Sequence, residues 1–280
     1  MQSSENNLKM MRIGFIGGGN MAGALIVGLA DKLDSGRQIH VVDLNQEHLK
    51  KLEDQFGVGI SVDIDHHMRD LDVIVLAVKP QQMHAVALKL APFLDQQIVL
   101  TVAAGIRAAD LSRWLNGYAR IVRTMPNTPA MVGQGMSGLY AMDAVNPTER
   151  QAAESIMQAV GQTLWVEQEH LIDSVTAISG SGPAYVFYFI EALQEAAQQL
   201  GFNADQARQL SLATFQGAAQ LAMQSEEPVH LLRERVTSKG GTTFAALCSM
   251  DASHVKTAIH QAAQAAAVRA AELGDEFGQQ

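Results

Sequence analysis

Gly14-Phe15-Ile16-Gly17-Gly18-Gly19-Asn20-Met21-Ala22 decides the fold. The stretch passes from an apolar run through a glycine turn into a helical pattern, the context a dinucleotide loop requires. In Gly17-x-Gly19-x-x-Ala22 the first glycine permits the tight turn and the second lets a pyrophosphate approach the backbone. Ala22 keeps the following helix close to the sheet. The competing reading is a glycine-rich turn in a nucleotide-free α/β domain. Against it, the next apolar run, Ile39–Asp43, ends in an acid, where a carboxylate takes the adenosine ribose hydroxyls.

Outward from this loop, short β-branched runs alternate with amphipathic helices from Met11 to about Val166. The runs are Arg12–Ile16, Ile39–Asp43, Val73–Val78, Ile98–Ala103 and Ile121–Met125; Met21–Ala30, Gln46–Gln55 and Gln81–Leu90 read as helices between them. Such alternation predicts βαβ units and a mostly parallel sheet covered on both faces. Met136–Met142 and Gln162–Val166, flanking a helix over Thr148–Val160, close the sheet. The ligand crevice of such a sheet lies at the carboxyl ends of its strands. Those ends read Ala77-Val78-Lys79-Pro80, Val102-Ala103-Ala104-Gly105 and Arg123-Thr124-Met125-Pro126-Asn127-Thr128-Pro129. Small residues and prolines suit a flat ring lying against backbone. Lys79 reads equally as a phosphate contact or as a solvated surface lysine.

After Glu167 the strand signal stops. His170–Ser179, Pro183–Leu200, Asn203–Gln224, Pro228–Arg235, Thr243–Met250 and Ala252–Leu273 all read as helices. The expected class is therefore α/β: a Rossmann-like doubly wound sheet over 11–167, then an all-helical domain over 168–280. Residues 1–10 are polar and read as a disordered tail, with neither an h-region nor a cleavage site; Met11 is an equally good start. Tyr185 to Leu193 is apolar almost all round, which predicts a buried helix. Alanine-rich helices bury little by themselves, so this half is expected to complete its core in a dimer or higher oligomer.

The composition excludes several classes. A formal net charge of −9 with no Lys/Arg block argues against nucleic acid, and no apolar run is long enough to cross a bilayer. The single cysteine, Cys248, cannot form an internal disulfide, so a reducing cytoplasm is expected. Its apolar neighbours place it in a core. His66-His67 lack metal-ligand company and read as solvated; no metal is expected. Trp114 and Trp165 read as packing residues.

Val236-Thr237-Ser238-Lys239-Gly240-Gly241-Thr242-Thr243 points to a substrate. Two glycines allow tight turning, and the threonines can cap a helix whose free N–H groups hold a carboxylate. With a cofactor loop upstream, the chain reads as a dehydrogenase of a small carboxylic acid.

Taken in order, the glycine loop, Ala77-Val78-Lys79-Pro80, Ala103-Ala104-Gly105, Arg123–Pro129, Ser179-Gly180-Ser181-Gly182-Pro183-Ala184-Tyr185 and Thr237–Thr243 resemble the pyrroline-5-carboxylate reductases. The resemblance spans nearly the whole chain after Met11, and the last two motifs are its specific ones. It implies reduction of the cyclic imino acid Δ1-pyrroline-5-carboxylate to L-proline, and a helical dimerisation domain with an active site built by both subunits. It places Thr243 beside the ring nitrogen, and Gly240, Gly241 and Thr242 around the carboxylate, with Glu169 near the substrate pocket. The cofactor falls to Ile16, Gly17, Gly18, Gly19, Asn20, Met21, Asp43, Ala77, Val78, Lys79, Pro80, Ala103, Ala104 and Gly105. Two departures concern the cofactor, NADPH or NADH. Relatives often carry small hydroxyl residues where Asp43 stands, and an asparagine where this chain reads Ile64-Asp65. By charge alone, Asp43-Leu44-Asn45-Gln46 prefers NADH, with Lys50 and Lys51 a turn or more away.

A protonated cyclic imine needs no strong general base, and no charged residue lies between Asp173 and Glu191. That separates this reading from its nearest rival, the β-hydroxyacid dehydrogenases. Their lysine would follow a Gly-x-Gly turn, but Gly180-Ser181-Gly182 leads into Pro183-Ala184-Tyr185. A non-catalytic dinucleotide sensor is the remaining alternative, and it would have no use for Gly240–Thr243.

Overall fold

Strands that are apolar on both faces belong inside a parallel sheet, because crossover helices cover both of its sides. Every residue of β1 (Ile13–Ile16), β4 (Val73–Leu76) and β5 (Ile98–Thr101) is buried. The computed structural model describes residues 8–279 apart from 31 and 34. With β2 (Ile39–Val42), β3 (Gly59–Ser61), β6 (Ile121–Met125), β7 (Gly135–Ala141) and β8 (Gly161–Trp165), the strands form one sheet of order β3-β2-β1-β4-β5-β6-β7-β8. β1 pairs in parallel with both β2 (Ile13 with Ile39) and β4 (Ile13 with Val73), so the winding reverses at β1. Only the β6–β7 pairing is antiparallel, with Met125 opposite Gly138; β7 and β8 then run parallel to each other.

One core lies on each face. Helices α1 (Asn20–Ala30), α2 (Gln46–Phe56) and α5 (Pro147–Met157) send Leu25, Ile26, Leu29, Leu49 and Ile156 into the first. Met83, Leu90, Leu111 and Trp114, from α3 (Met83–Leu90) and α4 (Ala108–Trp114), fill the second. Local chemistry fixes the ends of these helices. Asn45 caps α2 by accepting the His48 N–H, and Gly57 at φ 68° closes it. Asn146 and Glu149 form a capping box around Pro147 at the start of α5. Sequence periodicity does not reveal β3 or α4. β3 is three residues at the sheet edge, and α4 is seven residues long, too short to show a period.

Two expectations about the ends of the first domain change. Residues 1–7 of the expected tail lie outside the described residues. Leu8, however, is buried in the first core, and its carbonyl accepts the Met11 N–H, so the ordered chain begins before residue 11. The chain divides into two compact units, one ending at Ser181 and resuming at Ala266, the other Gly182–Ala265. Residues 168–181, expected in the helical domain, thus cluster with the first unit. Helix α6 (Leu171–Val175) packs on β6 and β7 and buries Ile172, while Val175 fills the space that a side chain on Gly138 would need. The last helix, running Val255–Gly278, ends in the first unit. There Arg107 pairs with Asp275 at 2.7 Å and bonds the Ala271 carbonyl.

The second unit contains α7 (Gly182–Gln199), α8 (Ala204–Gln224), α9 (Val229–Arg235) and α10 (Thr242–Ala252), with the last helix, α11, beginning in it. Asn203 and Gln206 cap α8. Helix α7 was expected to be buried, yet Phe187 is 64% exposed and Tyr188 68%. Nor is Cys248 in a core: it is exposed on α10, which buries none of its residues within the chain. The apolar faces are present as the sequence predicts, but this chain does not supply their cover. We expect the native protein to scatter light as a dimer or larger, and Phe187→Asp to shift it toward monomer. A native chain that is monodisperse and monomeric would overturn this.

Candidate functional site

Gly17 stands where β1 leaves the sheet between β2 and β4. Its φ is +97°, and a Cβ on it would lie 2.6 Å from the Ala77 carbonyl oxygen, so only glycine fits. The Gly17 N–H donates to the Val42 carbonyl and the Ala77 N–H to that of Ile16, each at 2.8 Å, which stitches the loop to both neighbouring strand ends. A Cβ on Gly19, by contrast, would meet nothing within 4 Å. That open space lies at the start of α1, headed by Asn20 and Met21, with Ala22 fully buried beneath. N–H groups at a helix start with free space before them are what a pyrophosphate needs.

Beside this loop a cleft of about 660 Å³ is lined by Gly17, Asp43, Asn45, Ile64, Val78 and Lys89, among others. Asp43 ends β2 as expected, and both of its oxygens are held. Oδ2 accepts the Gly18 N–H at 2.6 Å and Oδ1 the Asn45 N–H at 2.8 Å. Asp63, two residues past β3, bonds Lys89 at 3.2 Å. The Ile64 N–H and then Lys89 hold the Asp63 carboxyl below its usual range. Lys50 is tied along α2 to Glu53 (2.7 Å) and Asp54 (3.0 Å), and neither it nor Lys51 lines the cleft. Lys79 is exposed and its carbonyl begins a short 3-10 turn through Pro80. Sequence reasoning missed Asp63 and Lys89, which reach the cleft by way of β3 and α3. Asp63 had a sequence signal in its place beside Ile64-Asp65, where relatives carry an asparagine; Lys89 had none.

At the ends of β5 and β6 the residues serve several purposes. Ala103 is buried and Ala104 half-buried. Gly105 turns at φ +74°, and a Cβ there would press on Leu273 and Phe277 at 3.1 Å, so its missing side chain makes room for α11. Asn127 donates to the Ser179 carbonyl (3.0 Å) and accepts the Met136 N–H (2.9 Å). The Ser179-Gly180 motif is thereby held against the end of β6. Thr176–Gly180 is a π-turn, in which the Ser181 N–H reaches the Thr176 carbonyl at 2.8 Å; such turns recur at functional sites.

Glu169 has partners within the first unit. Its Oε1 accepts the Ala108 N–H at 2.6 Å, at the start of α4, and receives Arg123 at 3.1 Å. Arg123 is almost fully buried on β6 and also bonds Asp173 at 2.7 Å. The Glu169 carboxylate therefore neutralises a buried guanidinium and a helix start. His66 and His67 have more company than expected. Ligand atoms of Asp65, His66 and His67 lie within 4.8 Å of one another, but Asp65 Oδ1 is already shared by the His67 ring and N–H.

Gly240–Thr243 begins α10 in the helical unit. Gly240 has φ +73°, whereas Gly241 at −79° is the N-cap, so the turn requires positive φ one residue earlier than its cap. No side chain caps this helix, and the first bond of its ladder runs from the Ala245 N–H to the Gly241 carbonyl. Thr242 and Thr243 are therefore its first helical residues, not its cap. Their N–H groups and that of Phe244 precede the ladder. Thr243 is half-buried.

Comparison with known proteins agrees across both units. A family model described as pyrroline-5-carboxylate reductase dimerisation matches residues 169–273, and one described as NADP oxidoreductase coenzyme F420-dependent matches 12–105. The chain is similar to a pyrroline-5-carboxylate reductase of Pseudomonas aeruginosa, 44% identical over 96% of this chain and 98% of that one. One from Pasteurella multocida is 40% identical over 92% and 96%. Among solved structures, a pyrroline-5-carboxylate reductase of Coxiella burnetii superposes with a TM-score of 0.89 at 40% identity, covering 94% of this chain and 98% of that one. A Plasmodium falciparum pyrroline carboxylate reductase with NADP bound gives 0.84 at 27% identity, covering 95% and 99%. Among the described residues no helix is long and apolar enough to cross a membrane.

Gly17→Ala is expected to remove measurable dinucleotide binding by calorimetry and to lower Tm, because the added methyl strikes backbone and not a movable side chain. Wild-type binding in this variant would show that the loop is not the nucleotide cradle.

Proposed function

The chain belongs to the pyrroline-5-carboxylate reductase family, which reduces Δ1-pyrroline-5-carboxylate to L-proline with NAD(P)H, and we propose that the start of α10 holds the imine while the Gly17–Gly19 loop holds the cofactor. The observation that carries this is the uncapped helix start: N–H groups at Thr242, Thr243 and Phe244 outside the ladder, preceded by a glycine turn. A carboxylate of the size found on a cyclic imino acid meets both the N–H donors and the positive end of the helix there. Thr243 Oγ1, on the second helical residue, accepts the N–H of the protonated ring and fixes its orientation.

The cofactor fits the chain's own residues. Gly19 leaves room for a pyrophosphate, Asp43 offers acceptors at the ribose position, and Ala77–Pro80, Ala103 and Ala104 present small or flat surfaces at the strand ends. When bound, the nicotinamide supplies the hydride. The protein's work is to orient the imine and hold its carboxylate, since the protonated ring carbon is already electrophilic. No general base is called for, in keeping with the charge-free stretch from Ser174 to Ile190. We place the protein in the cytoplasm, where its lone cysteine stays reduced.

Loss of NAD(P)H absorbance on adding pyrroline-5-carboxylate tests the reaction; a chain that binds dinucleotide without turnover would be the sensor. Thr243→Ala is expected to lower kcat by the equivalent of ~2–4 kcal/mol, as for a single lost transition-state hydrogen bond, with dinucleotide affinity kept. Gly241→Ala should raise KM for the imine more than for the cofactor, because its methyl would lie 2.5 Å from Ser238 Oγ and shift the helix start. Unchanged kinetics in both variants would move the substrate site elsewhere.

A further inference from the structure

We propose that the cleft beside the glycine loop rejects a 2′-phosphate through two carboxylates, Asp43 and Asp63, so that NADH rather than NADPH is the nucleotide this chain takes. The inference rests on reading that cleft as the adenosine site. Asp43 is fixed there by two N–H donors, Gly18 at 2.6 Å and Asn45 at 2.8 Å. Each carboxylate oxygen has two acceptor positions, so one on each remains for a hydroxyl. Ribose 2′- and 3′-hydroxyls are donors and match these positions; a 2′-phosphate offers only acceptors and about two negative charges at neutral pH.

A surface carboxylate can usually swing aside to admit an anion. Asp43 cannot do so without releasing Gly18, which belongs to the pyrophosphate loop itself. Charge-assisted bonds of this kind are the stronger ones, so the charge stays in place.

The second carboxylate, Asp63, lies two residues past the end of β3, the strand that pairs with β2. Lys89 is the one cation among the residues lining the cleft, and Asp63 holds it at 3.2 Å. The lining therefore carries two acids against one base. The other nearby cation with assigned partners, Lys50, is spent on Glu53 and Asp54 outside the cleft. A phosphate entering here meets a fixed negative charge and a lysine that must first leave its partner.

The test compares binding of ADP-ribose and 2′-phospho-ADP-ribose to the full-length protein by calorimetry, independently of turnover. In the native protein ADP-ribose is expected to bind tighter by about tenfold or more, with the gap narrowing as salt rises. Asp63→Asn, an exposed substitution that leaves the glycine loop intact, should free Lys89 and tighten the 2′-phosphorylated ligand severalfold. Adding Lys89→Met should cancel that gain. Asp43→Ser should weaken ADP-ribose and narrow the gap, provided its circular dichroism and Tm match a folded protein. Equal or tighter binding of the 2′-phosphorylated ligand to the native protein overturns the proposal, as does an Asp63→Asn variant whose two affinities are unchanged. If neither ligand binds, the dinucleotide reading of the cleft falls, and this proposal with it.

Discussion

The approach of Gly17 to the Ala77 carbonyl is the contact on which the first unit depends. The sheet reverses its winding at β1, and the first crossover must leave between two strand ends that lie less than a side chain apart. A residue with a Cβ would have to push the end of β4 away. That would open the hydrogen bonds that join Gly17 to Val42 and Ala77 to Ile16. One steric constraint therefore keeps the ends of β1 and β4 together at the turn into α1.

The most deeply placed charge is structural: Arg123 is buried between Glu169 and Asp173, where it ties α6 to β6. A buried guanidinium with a missing partner costs several kcal/mol, so these acids are committed to structure. Ser179 and Gly180 reach the strand ends through Asn127 and main-chain groups alone. In the cleft beside the glycine loop Asp43 is held by the Gly18 and Asn45 N–H groups and Asp63 by Lys89.

The helical unit follows a different logic. Its alanines let helices approach closely, but Ala197, Ala207 and Ser211 are the few residues of α7 and α8 that become buried within the chain. Phe187, Tyr188 and Leu193 remain on the outside, and a match to a dimerisation domain over 169–273 accounts for them. Such a unit gains its apolar burial on association, so its stability and its oligomeric state are coupled.

The sequence by itself determined the sheet-then-helix order, the glycine loop and the principal strands. These are local matters: a glycine fingerprint and a two-residue or 3.6-residue period are written within about ten residues. It also showed that α7 is apolar all round, but not what covers it, because cover is a property of neighbours. Only the tertiary structure decided that Glu169 belongs to Arg123, that Gly105 makes room for Leu273 and Phe277, and that Leu8 is core. Only it placed Asp63 and Lys89 in one cleft with Asp43. Each of these joins segments separated by about twenty to more than a hundred and fifty residues, and no local pattern records which distant side chain will arrive to meet a buried charge or an empty space.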